Sequence, residues 1–165
     1  MRPIRVLVVE DSRFFQELLV NGINRDPGLE VVAVATDPFE ARDAIIKYRP
    51  DVMTLDVELP RMNGIEFLKQ LLPQYKMPVV MVSALNSAVF EALAAGAVEF
   101  VNKPQGGSSP DAIMNFISRE LCGKIKIAST AKVGNVMKKE QIQAPAPPAV
   151  NYGNRIVAIG ASTGV

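Results

Sequence analysis

Asp56 follows the apolar run Val52-Met53-Thr54-Leu55. A second acidic pair, Glu10-Asp11, ends another apolar run over residues 4–9, and Lys103 ends a third over residues 98–102. Read as strands of a parallel sheet, these runs deliver three carboxylates and one ammonium to a single edge, the carboxyl ends of the strands. Such a set suits a divalent cation and a phosphoryl group. A carboxylate attacks a phosphoryl group poorly while both are anionic, and a cation on the phosphoryl oxygens offsets the repulsion. Hard cations such as Mg²⁺ or Mn²⁺ take oxygen donors and retain waters. Asp11 and Asp56 are the natural direct ligands, Glu10 reaches the ion through water, and Glu58 offers its backbone carbonyl. Lys103 supplies a cation for the phosphoryl oxygens, and Ser83, at the end of a fourth apolar run, supplies a hydroxyl donor. One polar residue at a strand end is ordinary loop chemistry. Matches at successive strand ends describe a phosphorylation switch.

The elements that must position these groups alternate along the first part of the chain, as repeated βα units do. Residues 4–9 read as a strand buried on both faces. Ser12 caps the next helix, whose apolar positions Phe14, Phe15, Leu18, Leu19 and Ile23 recur at helical spacing. A turn at Asp26-Pro27-Gly28 leads to a second strand over 31–35. Asp37-Pro38 with Glu40 opens a second helix, expected to bury Ala41, Ala44, Ile45 and Tyr48. The third strand covers 52–55, and the third helix runs from about Gly64 to Leu72, where Pro73 stops it. A fourth strand covers 79–82, a short helix 87–95 is closed by Gly96, and a fifth strand covers 98–101. Ser109-Pro110-Asp111 starts the last helix, which stops at Gly123 or continues to about Ala128.

From about Ser129 this pattern ends. Residues 132–150 hold lysines, glutamines and the run Ala144-Pro145-Ala146-Pro147-Pro148-Ala149, a composition that predicts an extended tether. Residues 155–164 then read as a new apolar strand ending in small residues. The expected organisation is a first domain over 1–128, a linker over 129–153, and over 154–165 the opening strand of a second domain that the chain cuts short.

Composition narrows the function classes. The 18 basic and 17 acidic side chains nearly cancel, which argues against nucleic-acid binding through bulk charge. The single cysteine, Cys122, excludes an internal disulfide and fits a reducing, cytoplasmic setting. No apolar run approaches the roughly 20 residues of a membrane helix. The chain has no histidine, so it contains neither a histidine metal ligand nor a Ser–His nucleophile pair.

The pattern Glu10-Asp11, Asp56, Ser83 and Lys103-Pro104, with Pro60 and Gly64 after the central aspartate, resembles the receiver domain of two-component response regulators over about residues 1–122. The resemblance implies a doubly wound, flavodoxin-like α/β fold, a five-stranded parallel sheet in the order 2-1-3-4-5. It implies phosphoryl transfer from a histidine kinase to Asp56, Glu10 and Asp11 as the metal pair, Ser83 as the switch hydroxyl, Lys103 on the phosphoryl oxygens and Phe100 as the aromatic switch. Glu10 replaces the more usual aspartate. The segment from Ser83 to Lys103 is a few residues short for the family, in the loop before the fourth helix.

A glycine-flanked serine at a strand end, Gly160-x-Ser162-x-Gly164, presents a hydroxyl in the open with amides near it. With a receiver and a Pro-rich linker before it, the segment resembles the start of the catalytic domain of chemotaxis protein-glutamate methylesterases. Residues 77–83 and 100–105 resemble that family too. The resemblance implies Ser162 as esterase nucleophile, methylated chemoreceptors as substrates, and histidine and aspartate partners beyond this stretch, which alone should not hydrolyse esters. The alternative is a stand-alone receiver acting as a phospho-dependent binding module. A transcription factor is disfavoured because no basic helix-turn-helix follows the linker. An aspartyl phosphatase is disfavoured because Glu58 stands where its Asp-x-Asp pair needs aspartate.

Overall fold

The computed structural model describes residues 2–131. The chain divides between Ala131 and Lys132 into two units, and only the first falls within the described residues. The expected linker from residue 132 onward, the expected strand over 155–164 and Ser162 lie outside them.

Five strands form one parallel sheet: β1 (Ile4–Val9), β2 (Leu29–Ala35), β3 (Val52–Leu55), β4 (Val79–Ser83) and β5 (Glu99–Asn102). Their order is β2-β1-β3-β4-β5, as expected for a doubly wound receiver fold. The helices are α1 (Arg13–Asn24), α2 (Pro38–Tyr48), α3 (Gly64–Leu71), α4 (Val89–Ala94), α5 (Pro110–Phe116) and α6 (Cys122–Ser129). A 3₁₀ turn (Asn86–Ala88) precedes α4, and a wide π turn (Ile117–Leu121) joins α5 to α6 without a break. The last helix therefore passes through Gly123 and ends at Ser129. Ile125 and Ala128 are buried on it, which is why the apolar stripe outweighs the glycine.

Period-2 alternation divides the core into two layers. Leu7, Val9, Met53, Leu55 and Met81 face α2, α3 and α4, with Phe67, Leu68 and Ala92 packed against them. Val6, Val8, Val52, Val80, Val82 and Val101 face α1 and the α5–α6 helix, against Phe15, Leu19, Ile117 and Ile125. Strands apolar on both sides need cover on both sides: α2, α3 and α4 cover one face, α1 and the α5–α6 helix the other, and every strand runs in the same direction. The helices start where their caps stand. Ser12, Asp37, Asn63 and Ser109 each accept a hydrogen bond from a backbone N–H of the following turn.

Two expected core residues lie outside the core. Phe14 is 58% exposed, because α1 begins at Arg13 and its inward stripe is Phe15, Leu19, Gly22 and Ile23. Tyr48 is the last residue of α2, just before Arg49 turns the chain with φ 48; its ring lies exposed beneath Lys47, 5.3 Å away. β2 begins two residues earlier than its hydrophobic run, since Ile4 and Arg5 pair with Leu29 and Glu30. β5 sits one residue later and ends at Asn102, directly before Lys103.

A surface ion pair ties the end of the last helix to the turn before β2. Lys126 Nζ lies 2.7 Å from Asp26 Oδ2. The lysine hydrogen bond, helped by the Gly28 N–H and opposed by partial burial, holds the Asp26 carboxyl below its ordinary range. A depressed carboxyl stabilises the fold above its unfolded pKa, and that contribution disappears as pH falls through the folded value. Lys126→Ala is expected to cost about 0.5–1 kcal/mol at pH 7. Urea midpoints should show the gap between variant and wild type closing as pH falls below about 4; a gap independent of pH would refute the assignment.

Candidate functional site

The carboxyl ends of β1, β3 and β5 bring the expected residues together. Carboxylate oxygens of Glu10, Asp11 and Asp56 lie within 4.8 Å of one another. Glu10 and Asp56 are buried and Asp11 is exposed, so the cluster opens to solvent on the Asp11 side. Each backbone is fixed by the sheet around it: the Glu10 N–H donates to the Ala35 carbonyl at 2.9 Å, and the Asp56 N–H to the Val9 carbonyl at 3.2 Å.

Lys103 closes the cluster. Its Nζ lies 2.8 Å from Glu10 Oε1 and 3.0 Å from Asp56 Oδ2, with the Phe15 ring centroid 4.6 Å away. Burial works against the ammonium, yet the hydrogen bond to Glu10 and the charges of Glu10 and Asp56 outweigh it and raise the Lys103 pKa. Burial also pushes the Glu10 carboxyl upward; Lys103 and the Ser12 N–H, 3.0 Å away, only partly offset it. The lysine thus stays charged and serves as the internal counter-ion.

The loop after Asp56 folds back onto it. The Glu58 N–H donates to Asp56 Oδ1 at 3.2 Å, and the Gly64 N–H donates to the Val57 carbonyl at 2.7 Å. A Cβ at position 64 would overlap the Asp56 carbonyl oxygen. Glycine at the start of α3 is therefore a condition for the loop's approach to Asp56.

The other predicted residues stand nearby in different states. Ser83 is fully buried at the end of β4, where its Oγ accepts the Leu85 N–H at 3.1 Å and leaves its own hydrogen free to donate. Phe100 is half-buried beside the α2–α4 core layer, in register with Met81. Glu58 is exposed. Glu10, expected to reach a cation only through water, is the lysine's shorter contact here. Its extra methylene lets the carboxylate meet both Lys103 and the Ser12 amide. Sequence reasoning missed Phe15 as the ring against which Lys103 lies, and Gln16, whose Nε2 donates to the Glu10 carbonyl at 2.9 Å. Phe15 and Gln16 follow Glu10-Asp11 by one helical turn, and that spacing was the available signal.

Three convergent carboxylates, a lysine across them and a buried serine hydroxyl, at the strand ends of a 2-1-3-4-5 sheet, define a phosphoryl-receiver class of site. The chain belongs to the response regulator receiver domain family, which matches residues 6–117. It is similar to a protein-glutamate methylesterase/protein-glutamine glutaminase of Syntrophomonas wolfei, 53% identical over 99% of this chain and 47% of the relative. A relative of the same description from Syntrophotalea carbinolica is 44% identical over 99% of this chain and 48% of its own length. The chain thus spans about half the length of these curated relatives. Among solved structures, the response regulator domain of Thermotoga maritima CheB superposes with a TM-score of 0.72 at 40% identity. That match covers 79% of this chain and 99% of the other.

Gly64→Ala tests the packing behind Asp56. The new methyl must displace the loop or the Asp56 backbone, and overpacking of this kind costs about 1–3 kcal/mol. Urea unfolding should show that loss, with amide shifts moving at Val57 and Glu58. An unchanged midpoint would mean that the loop does not sit on Asp56.

Proposed function

We propose that Asp56 accepts a phosphoryl group from a histidine kinase and that this chain is the regulatory region of a protein-glutamate methylesterase. The carrying observation is the cluster itself: a buried Asp56 carboxylate, two further carboxylates within 4.8 Å, and one ammonium across them. Three converging hard oxygen donors with one compensating lysine match the donor set that Mg²⁺ or Mn²⁺ takes. Asp11, Asp56 and the Glu58 carbonyl would hold the ion directly, with Glu10 beside them. When bound, the ion neutralises the phosphoryl oxygens and so permits attack by an anion.

The chain's own residues do the rest. An Asp56 carboxylate oxygen attacks phosphorus; the new P–O bond forms as the P–N bond to the kinase imidazole breaks, and the imidazole leaves with the bonding pair. Lys103 exchanges its Asp56 contact for a phosphoryl oxygen, because a phosphoryl group on Asp56 carries more negative charge than the carboxylate did. Ser83 donates its free hydrogen to another phosphoryl oxygen and gives up the Leu85 amide. These contacts differ between the two states, and only such contacts shift a conformational equilibrium. Phe100 reports the shift from the neighbouring strand.

The likeness over 99% of the chain to enzymes described as protein-glutamate methylesterases supports the wider reading. In it the receiver restrains a catalytic domain whose nucleophile is Ser162, phosphorylation relieves the restraint, and the substrates are methylated glutamates of chemoreceptors. Residues 1–165 contain no histidine, so Ser162 has no imidazole base within this stretch and the isolated stretch should be inert toward esters. A cytoplasmic setting accords with this reading, and no helix among the described residues is long and apolar enough to cross a membrane.

Incubation with acetyl phosphate and Mg²⁺ should add one phosphoryl group by intact mass, and chelation should prevent it. Asp56→Asn should remain unmodified. Stoichiometric modification of that variant, or indifference to chelation, would refute Asp56 as a metal-dependent acceptor.

A further inference from the structure

Arg61 lies midway along the loop that joins Asp56 to α3, and two features set it apart. Its backbone has φ 74, a left-handed conformation that disfavours any residue with a Cβ and is ordinarily left to glycine. The other described non-glycine residue with positive φ, Arg49, is a helix C-cap, where that conformation is routine. Arg61 caps nothing. Its side chain instead crosses to the first turn of α2, where the guanidinium lies 5.6 Å from the Phe39 ring centroid and Nε lies 4.0 Å from Asp37 Oδ2. Asp37 is itself fixed, since its Oδ1 accepts the Glu40 N–H at 2.8 Å as the α2 cap. A strained backbone persists when its surroundings over-determine it, and here a side chain that stays 66% exposed makes these two contacts across to α2.

The same loop carries the Glu58 amide onto Asp56 Oδ1 and is closed at its far end by Gly64. Between these attachments Arg61 ties it to a neighbouring helix. We infer that Arg61 is a positioning residue: by anchoring the loop to Phe39 and Asp37 it sets the Glu58 main chain against Asp56, and so tunes the site's affinity for a divalent cation. Glycine at this position would accept the backbone angle without strain but would leave the loop unanchored. The inference rests on the proposed cation site and names a further residue that governs it.

Arg61→Gly isolates the side chain, because glycine keeps the observed φ available. Amide-shift titration of the whole chain with Mg²⁺ should show about a fivefold loss of affinity, below the roughly 10–100-fold that direct outer-sphere partners of a metal cost. In the metal-free protein the Glu58 amide should exchange faster, while the urea midpoint stays near wild type. Phe39→Ala should reproduce part of the loss and add little in combination with Arg61→Gly. Arg61→Lys, which restores charge toward Asp37 without the flat guanidinium, should fall between. Unchanged Mg²⁺ affinity in Arg61→Gly, beside a wild type that binds, would overturn the role of Arg61 alone. A wild type that binds no Mg²⁺ would overturn the cation site, and this inference with it.

Discussion

Two carboxylates can be buried side by side at the end of this sheet because one ammonium touches both. Glu10 and Asp56 directly follow adjacent strands, β1 and β3, and without a cation between them their like charges would repel at close range. Lys103 comes from β5, two strands away from β3 in the sheet order. At about 4.8 Å per strand spacing, its backbone starts roughly 10 Å from Asp56, so a long flexible side chain is required. Ser83 at the end of the intervening strand is small and buried, and the Lys103 N–H is fixed on its carbonyl at 2.9 Å. The order of strands, the small residue on β4 and the lysine directly after β5 therefore form one device.

The same contacts fix how the site can change state. In the proposed cycle an incoming cation would compete with Lys103 for Asp56, because both neutralise the same oxygens. A phosphoryl group on Asp56 would then offer the lysine new oxygens farther out. Glu10 would keep the ammonium close in either case, since its longer arm already holds the shorter of the two contacts. On this reading the internal ion pair stabilises the metal-free fold and would limit its affinity for metal, a balance between stability and readiness.

Most of the architecture was legible from the chain because each strand is a short apolar run ended by a polar residue, and the crossovers through α1, α2 and α3 each carry a side-chain cap, which the one through α4 lacks. Asp56, Glu10-Asp11 and Lys103 could be assigned to one edge by topology alone. Phe14 and Tyr48 could not be placed by counting apolar positions, since exposure there depends on the phase of α1 and on the left-handed turn at Arg49. The preference of Lys103 for Glu10, and the support from Phe15, depend on how far side chains reach across the sheet. The anchoring of Arg61 was invisible for a similar reason: it joins residues 61, 37 and 39 through a backbone angle that residue type argues against.

The central claim is that Lys103 is the counter-ion of this pocket, and one variant tests it on two scales. In Lys103→Ala, urea unfolding without metal should show a loss of about 3 kcal/mol, the lower part of the range for leaving buried charge unpaired. The same variant should bind Mg²⁺ more tightly than wild type, because its competitor for Asp56 is gone. Unchanged stability together with unchanged or weaker Mg²⁺ binding would contradict the account.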